Sequence, residues 1–262
     1  MGLVLVAVFD ETIAPQGPNE TSIPDRLQPP SWEHLFGTDD LGRDIFSRVV
    51  LGTGVSLRVG FLAVGIALVI GTVVGLLAGF YGRWVDDVLM RFMDMLFAFP
   101  AVLLAIAVLA VRGPGSGNTA LAIGVVYIPV FARVTRASVL GVREEVYVRA
   151  SRSVGASDLR LLTRHVLPNA APPIIVQTSI SLAFAVLAEA ALSFLGLGTQ
   201  PPAPSWGRML AEGRGFIQDA WWLAFFPGMA IFLTVLCFNL LGDGLRDVLD
   251  PRQRTLMAGG GR

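Results

Sequence analysis

Five apolar runs constrain this chain more than any other feature: Val59–Tyr81, Met95–Val111, Thr119–Ala132, Pro172–Leu197 and Ala220–Leu241. A helix rising about 1.5 Å per residue needs about 20 apolar residues to cross the hydrocarbon core of a bilayer. Backbone in lipid has to satisfy its own hydrogen bonds, and a helix does so within one segment. The runs predict an all-α, polytopic membrane protein with five full transmembrane helices. Only 15% of the 262 residues are charged, against about a quarter in a soluble domain. Met1–Phe9 is also apolar but too short to cross alone, and it lacks the basic start and small-residue cleavage site of a signal peptide. It reads as the remnant of a truncated first span, or as a frayed terminus. The expected division is 1–9 for that remnant, 10–54 for an extracytoplasmic loop, 55–245 for the membrane domain and 246–262 for a cytoplasmic tail.

Several chemistries are excluded early. Formal net charge is zero, which argues against nucleic acid as a partner. All 20 basic residues are arginine. Without lysine there is no Walker A loop and no Schiff base. Cys237 is the single cysteine, and His34 and His165 have no ligand-spaced neighbours, so neither a disulfide nor a metal site is expected. No catalytic constellation is present, and the expected catalytic and metal sets are both empty.

In the 10–54 segment, Thr38 is placed to cap a short amphipathic surface helix in which Leu41, Ile45 and Val49 recur every four residues. Asp39 and Asp40 lack EF-hand spacing, and capping with Asp–Arg pairing is their expected role. Gly71, Gly75 and Gly79 repeat at four-residue spacing in the first full span, which lets a neighbouring helix approach closely. Gly82–Asp94 reads as a charged connector, Pro100 lies near the start of the next span, and Pro129 interrupts the one after. Glu189 lies deep in the Pro172–Leu197 run. An ionisable group there either lines a translocation path or makes an interhelical hydrogen bond. Asn239, the single amide of the last run, is a second path candidate. A short helix is expected from Arg208 to about Gln218.

Between the third and fourth runs lies a polar stretch, Tyr147–Pro168. Tyr147–Val154 carries no breaker, Gly155 is suited to a left-handed helix end, and Ser157 or Asp158 can cap a second helix. There Leu159, Leu162 and Val166 share one face while Arg160 and Arg164 take another. Pro168 is expected to stop the helix. The result is a helical hairpin with an oily and a cationic side, either an ordinary basic loop or a docking element for a protein. Placing it inside the cell puts 13 arginines on inner segments against 7 on outer ones, in keeping with the positive-inside rule.

Several stretches resemble the permease subunits of ABC importers in the dipeptide, oligopeptide and nickel branch, closest to the C-type subunit of dipeptide permeases. They are Phe36-Gly-Thr-Asp-Asp-Leu-Gly-Arg-Asp44, Gly155-Ala-Ser-Asp158 with Arg164-His-Val-Leu-Pro-Asn169, Leu187-Ala-Glu-Ala-Ala-Leu-Ser-Phe-Leu-Gly-Leu-Gly198, Pro201-Pro-Ala-Pro-Ser-Trp-Gly207, and Asn239 through Pro251. In such permeases the 147–168 stretch, within a coupling loop 133–171, would be the element that sits in a groove of the ATPase. The resemblance implies roles for Arg149, Ala150, Ser151, Arg152, Gly155, Ala156, Asp158, Arg160, Arg164, Leu167 and Pro168 in ATPase coupling. Two positions depart from the family pattern: Arg149 stands where Glu is usual, and Ser151 where Ala is usual. Glu144 and Glu145 lie beside them. The resemblance further implies a second permease subunit (a heterodimer), two partner ATPase domains carrying ATP and Mg, an extracytoplasmic substrate-binding protein, and a multi-pass position in the bacterial cytoplasmic membrane. Short peptides are the expected cargo, with nickel or tetrapyrroles as alternatives. An ion-coupled secondary carrier is the rival class, disfavoured by the lack of an internal repeat.

Overall fold

The computed structural model describes residues 14–249. The expectations for 1–9 and for the tail from 250 onward lie outside the described residues. The elements are helices: α1 (Ile45–Tyr81), α2 (Arg83–Phe97), α3 (Ala101–Arg112), α4 (Ser116–Arg143), α5 (Val146–Ser153), α6 (Asp158–Leu161), α7 (Leu167–Phe194), α8 (Trp206–Gly213) and α9 (Trp222–Leu249). A π turn, Leu162–Val166, joins α6 to α7. Among the described residues the only β pairing recorded is an isolated bridge between Thr38 and Asp44. Among the described residues four helices are long and apolar enough to cross a membrane: Ile45–Tyr81, Ser116–Arg143, Asp158–Phe194 and Trp222–Leu249. The pair α2–α3 makes a fifth candidate, bent by 89° at its break.

Several sequence expectations are corrected. The first full span begins at Ile45 rather than Val59, absorbing the expected surface helix. Its cap is Asp44 and not Thr38: Asp44 Oδ2 accepts from the Ser47 amide at 2.8 Å. Thr38 Oγ1 instead accepts from the Gln28 amide at 2.8 Å. Leu41 lies outside the helix and is exposed. The "connector" after Gly82 is helical throughout as α2. The next helix starts at Ala101 instead of Met95, because Pro100 drives Phe99 away from helical geometry and ends α2. Pro129 does not interrupt α4, which runs on to Arg143. A single lost backbone bond is tolerated inside a helix supported by neighbours. The helix expected from Arg208 begins at Trp206 and ends at Gly213, followed by one 3₁₀ turn.

Pro168 does not stop its helix either. The Leu167 amide bonds to Leu162 O, a five-residue step, and Pro168 lies inside one continuous helix, Asp158–Phe194, where the wider π turn before it accommodates the ring and the missing N–H. The extra residue in the π turn also rotates the faces. Leu161 and Val166, five apart, are fully buried, whereas Leu159 is 71% exposed.

The chain forms two compact units, each drawing on the long helices: 14–63, 102–123 and 182–237 in the first, 64–101, 124–181 and 238–249 in the second. In the first, Trp206 is buried and donates its indole N–H to Val49 O at 3.0 Å. Trp222 likewise donates to Thr38 O at 3.1 Å. In the second, Gly71, Gly75 and Gly79 lie against α4. A Cβ at Gly71 would meet Phe131 Cβ at 2.5 Å, one at Gly75 the Thr135 Cβ at 2.6 Å, and one at Gly79 the Val139 Cβ at 2.9 Å. Close approach of this kind replaces the hydrophobic effect as the source of helix association in lipid.

Candidate functional site

The second unit holds the Tyr147–Pro168 hairpin. Its first helix, α5, closes with a Schellman motif: the Gly155 amide donates to Arg152 O at 3.0 Å and the Ala156 amide to Ser151 O at 3.1 Å. Gly155 takes φ +86°, a conformation glycine adopts without the Cβ penalty. Ser157 occupies the cap position of α6 but makes no side-chain cap bond, and Asp158 lies in the first turn. Ser151 Oγ turns back to Tyr147 O at 2.8 Å.

The inner side of the hairpin is a compact apolar cluster. Val148, Leu161, Val166 and Ala170 pack with Phe80 from α1 and Val139 from α4, and Ala156 and Leu162 lie at its edge. Leu167 is half-buried beside it. Two polar ties hold α4 to the neighbouring helices α1 and α2. Arg143 Nη1 donates to Gly79 O at 2.6 Å, and Arg136 pairs with Asp86 at 2.5 Å. Close-packed interiors transmit displacement rather than absorbing it, so the hairpin is fixed to the ends of two long helices.

The outer side is open. Arg149, Ala150, Arg152, Arg160, Arg164 and Pro168 are exposed, with Val146, Val154 and Leu159 at 72%, 86% and 71% exposure among them. Arg152 is partly held, its guanidinium 5.2 Å from the Phe80 ring centroid. Exposed apolar residues interleaved with guanidinium groups make a surface suited to a protein partner with acidic groups at its rim.

Beside α7 in the same unit runs a groove of ≈ 570 Å³ whose polar lining is Asn169, Gln177, Asp243 and Arg246. Sequence reasoning did not single out Gln177, Asp243 or Arg246, since one amide or an exposed Asp–Arg pair is unremarkable until the helices carrying them face each other. Asn239 lies on α9 in this unit and is exposed.

Glu189 belongs to the first unit and is fully buried. Its Oε1 accepts from Ser193 Oγ at 2.7 Å. Its Oε2 and the Thr199 Oγ1 make no hydrogen bond. No group of three or more His, Cys, Asp or Glu capable of holding a metal exists among the described residues. A separate cluster unites Asp39, Arg43, Arg48, Arg208 and Glu212.

Comparison with known proteins matches this architecture to a family. A family model described as "Binding-protein-dependent transport system inner membrane component" matches residues 71–255. The chain is 49% identical to the dipeptide transport system permease protein DppC of Alkalihalophilus pseudofirmus, over 96% of this chain and 83% of that one. It is 46% identical to the glutathione transport system permease protein GsiD of Pectobacterium atrosepticum, over 97% and 84% respectively. Among solved structures, the inward-facing MetNI methionine ABC transporter superposes with a TM-score of 0.63 at 18% identity, covering 78% of this chain and 96% of that one. That likeness shows a shared fold. The all-helical chain, with its four long apolar helices and the family match across the hairpin, belongs to the binding-protein-dependent transport system inner membrane components, as a permease subunit of the ABC importer family.

Proposed function

We propose that this chain forms one half of the membrane passage of an ATP-driven importer of short peptides in the bacterial cytoplasmic membrane. A second permease subunit supplies the other half, as a heterodimer. Two partner ATPase domains bind ATP and Mg, and an extracytoplasmic binding protein delivers cargo. The relatives' names, dipeptide and glutathione permeases among them, support the peptide class. The absence of lysine, and hence of a Walker A loop, supports an energy source on another chain. In this reading 55–245 is a single transmembrane domain in which the bent α2–α3 pair counts as the fifth span, and 10–54 lies outside the cell.

The observation that carries the coupling role is the two-sided hairpin. Val148, Leu161 and Val166 fasten it to α1 and α4, while Arg149, Arg160 and Arg164 point outward. An ATPase that closes on ATP moves the outer side, and the packed inner side carries that movement into the spans as a rigid-body rearrangement. Arg149 departs from the family pattern by a cation where Glu is usual and Ser151 by a hydroxyl where Ala is usual; the contact with the ATPase at that point differs from the usual ion pair, and the exposed Glu144 and Glu145 are the nearby acids able to replace it. Gly155 and Leu167–Pro168 set the hairpin's shape, and Asp158 starts its second arm.

The test is proximity in the assembled transporter. With Cys237 replaced by Ser, Cys introduced at Arg149 or Arg160 should cross-link to the partner ATPase with a short bifunctional reagent. A fully assembled complex that yields no such adduct at either position contradicts the docking role.

A further inference from the structure

The groove beside α7 carries polar groups that the hairpin does not use. Its volume of ≈ 570 Å³ falls inside the range of about 300–1,000 Å³ typical of small-molecule sites. Its walls are largely apolar, with Val134 from α4, Val176 and Ile180 from α7 and Leu249 from α9. α9 comes against α7 at Gly242, where a Cβ would lie 3.3 Å from Ser179 Cβ. The next residue, Asp243, enters the groove wall.

Acceptors gather on the α7 side. The Asn169 amide donates to His165 O at 2.6 Å, and the Gln177 amide to Ser181 Oγ at 3.1 Å. Each side chain keeps its carbonyl oxygen, an acceptor with two lone pairs. Pro172 and Pro173 lie inside α7 and have no N–H to give to the carbonyls four residues back, those of Pro168 and Asn169. The end of the groove nearest the hairpin is therefore rich in oxygens without a helical donor.

The α9 side carries the charges. Asp243 and Arg246 stand three residues apart, about 4.5 Å along the helix axis. Both are exposed, and neither is paired with the other or with any other described residue. A carboxylate and a guanidinium held apart over apolar walls complement a molecule with one charge of each sign at its ends. An extended dipeptide spans about 7 Å, a length the long Arg246 side chain can bridge from Asp243. Asp243 suits an ammonium group, which only donates. The Asn169 and Gln177 oxygens suit N–H groups along the chain. Arg246 can meet a carboxylate with two parallel N–H bonds.

We propose that this groove binds the importer's cargo as a short peptide with both ends free, its ammonium on Asp243 and its carboxylate on Arg246. It lies at the start of α7, directly after the hairpin, and so on the cytoplasmic half, where cargo leaves the passage. That the ligand is cargo rests on the function proposed above; the charge pattern of the groove does not.

The test follows alkylation of a cysteine placed in the groove. Val176→Cys is combined with Cys237→Ser, the transporter is assembled with its partners in lipid nanodiscs, and reaction with N-ethylmaleimide is read from the mass of this chain. Saturating dialanine should slow labelling several-fold. N-acetyl-dialanine, which lacks the ammonium, and dialanine amide, which lacks the carboxylate, should protect far less. With Asp243→Asn added, dialanine should protect no better than the acetylated peptide; with Arg246→Gln added, no better than the amide. Equal protection by all three peptides with both charges intact overturns the charge assignment, and no protection by any of them overturns the site. Labelling that responds to phosphatidylethanolamine in the nanodisc and to none of the peptides assigns the groove to a lipid headgroup and overturns the proposal. If Val176→Cys does not assemble, Ile180→Cys, about one turn further along α7, reports under the same criteria. Uptake of labelled dialanine by the unsubstituted transporter is measured alongside. Uptake without protection overturns the groove alone, whereas protection without uptake removes the importer reading and leaves the groove as a peptide site.

Discussion

Arg48 and Glu212 stand 164 residues apart in the chain and meet through a hydrogen bond of 3.1 Å. Arg48 is 2% exposed, and Glu212 also receives Arg43 at 3.4 Å and Arg208 at 2.9 Å. One carboxylate thus serves three guanidinium groups, and it ties the start of α1 to α8.

Removing that carboxylate should cost more than removing the buried arginine. Glu212→Ala leaves Arg48 with Pro18 O at 2.9 Å and Asp39 at 3.8 Å as partners, and a buried charge stripped of its partner costs about 3 kcal/mol. Glu212 is itself 26% exposed, so solvent screening brings the expectation to roughly 2 kcal/mol. A chain of this size should then melt several degrees lower. Arg48→Met, by contrast, replaces a buried ion with an apolar chain of similar volume, a change that is often neutral. Thermal melts of the two variants in detergent should differ clearly; equal losses would contradict this account of the cluster.

Gly75 and Gly65 provide a paired test of helix packing within α1. A Cβ at Gly75 would lie 2.6 Å from Thr135 Cβ and 3.0 Å from the Arg136 amide nitrogen, whereas one at Gly65 meets nothing within 4 Å. Alanine raises intrinsic helix stability at either site by about 1 kcal/mol. Gly65→Ala should therefore express and melt like wild type or slightly better. Gly75→Ala should force α1 and α4 apart and lower the yield of monodisperse protein in size-exclusion chromatography. Equal behaviour of the two variants would remove the close-packing role.

At Gly155 the constraint is backbone conformation alone. The residue sits at φ +86° with open space around its Cβ position. Gly155→Val should strain the left-handed turn by about 1–2 kcal/mol or shift it, while Gly155→Asn should be tolerated. Uptake measured per ATP hydrolysed should fall in the Val variant and hold in the Asn variant. Equal coupling in both would show that the Schellman turn is dispensable.

The cationic face predicts salt sensitivity. Arg149, Arg160 and Arg164 are exposed, where charge pairs are screened within about 10 Å at 0.1 M salt. Affinity of the membrane subunits for the ATPase should drop as salt rises, and the slope should flatten in the Arg149→Ala/Arg160→Ala double variant. Microscale binding measurements at several salt concentrations check this; a slope unaffected by the two substitutions would assign the affinity to the apolar residues Val146, Val154 and Leu159 instead.

What the sequence made legible follows from the range over which each signal acts. Apolar runs announced the long helices because hydropathy is a local sum, and Gly155 announced its turn because αL geometry is a property of one residue. Pro168 misled for the same reason: its effect on the helix depended on the π turn before it, which moved the buried position from Leu159 to Leu161. The start of α1 at Ile45 was hidden because Arg48 and Ser56 look polar until Glu212 and Trp206 are brought to them across more than a hundred residues. Glu189 stood out as an ionisable group in an apolar run, and its partner Ser193 lies one helical turn on, but which helices bury the pair is not a local property of the sequence.

The central claim is that ATP hydrolysis on a partner drives cargo through this subunit by way of the hairpin. The most direct measurement is uptake of a labelled dipeptide into proteoliposomes containing both permease subunits, the ATPases and loaded binding protein. Uptake should require ATP, stop when the ATPases are inactivated, and fall in Gly155→Val while the complex remains assembled. Uptake that continues with inactive ATPases, or that this chain sustains by itself, would contradict the account.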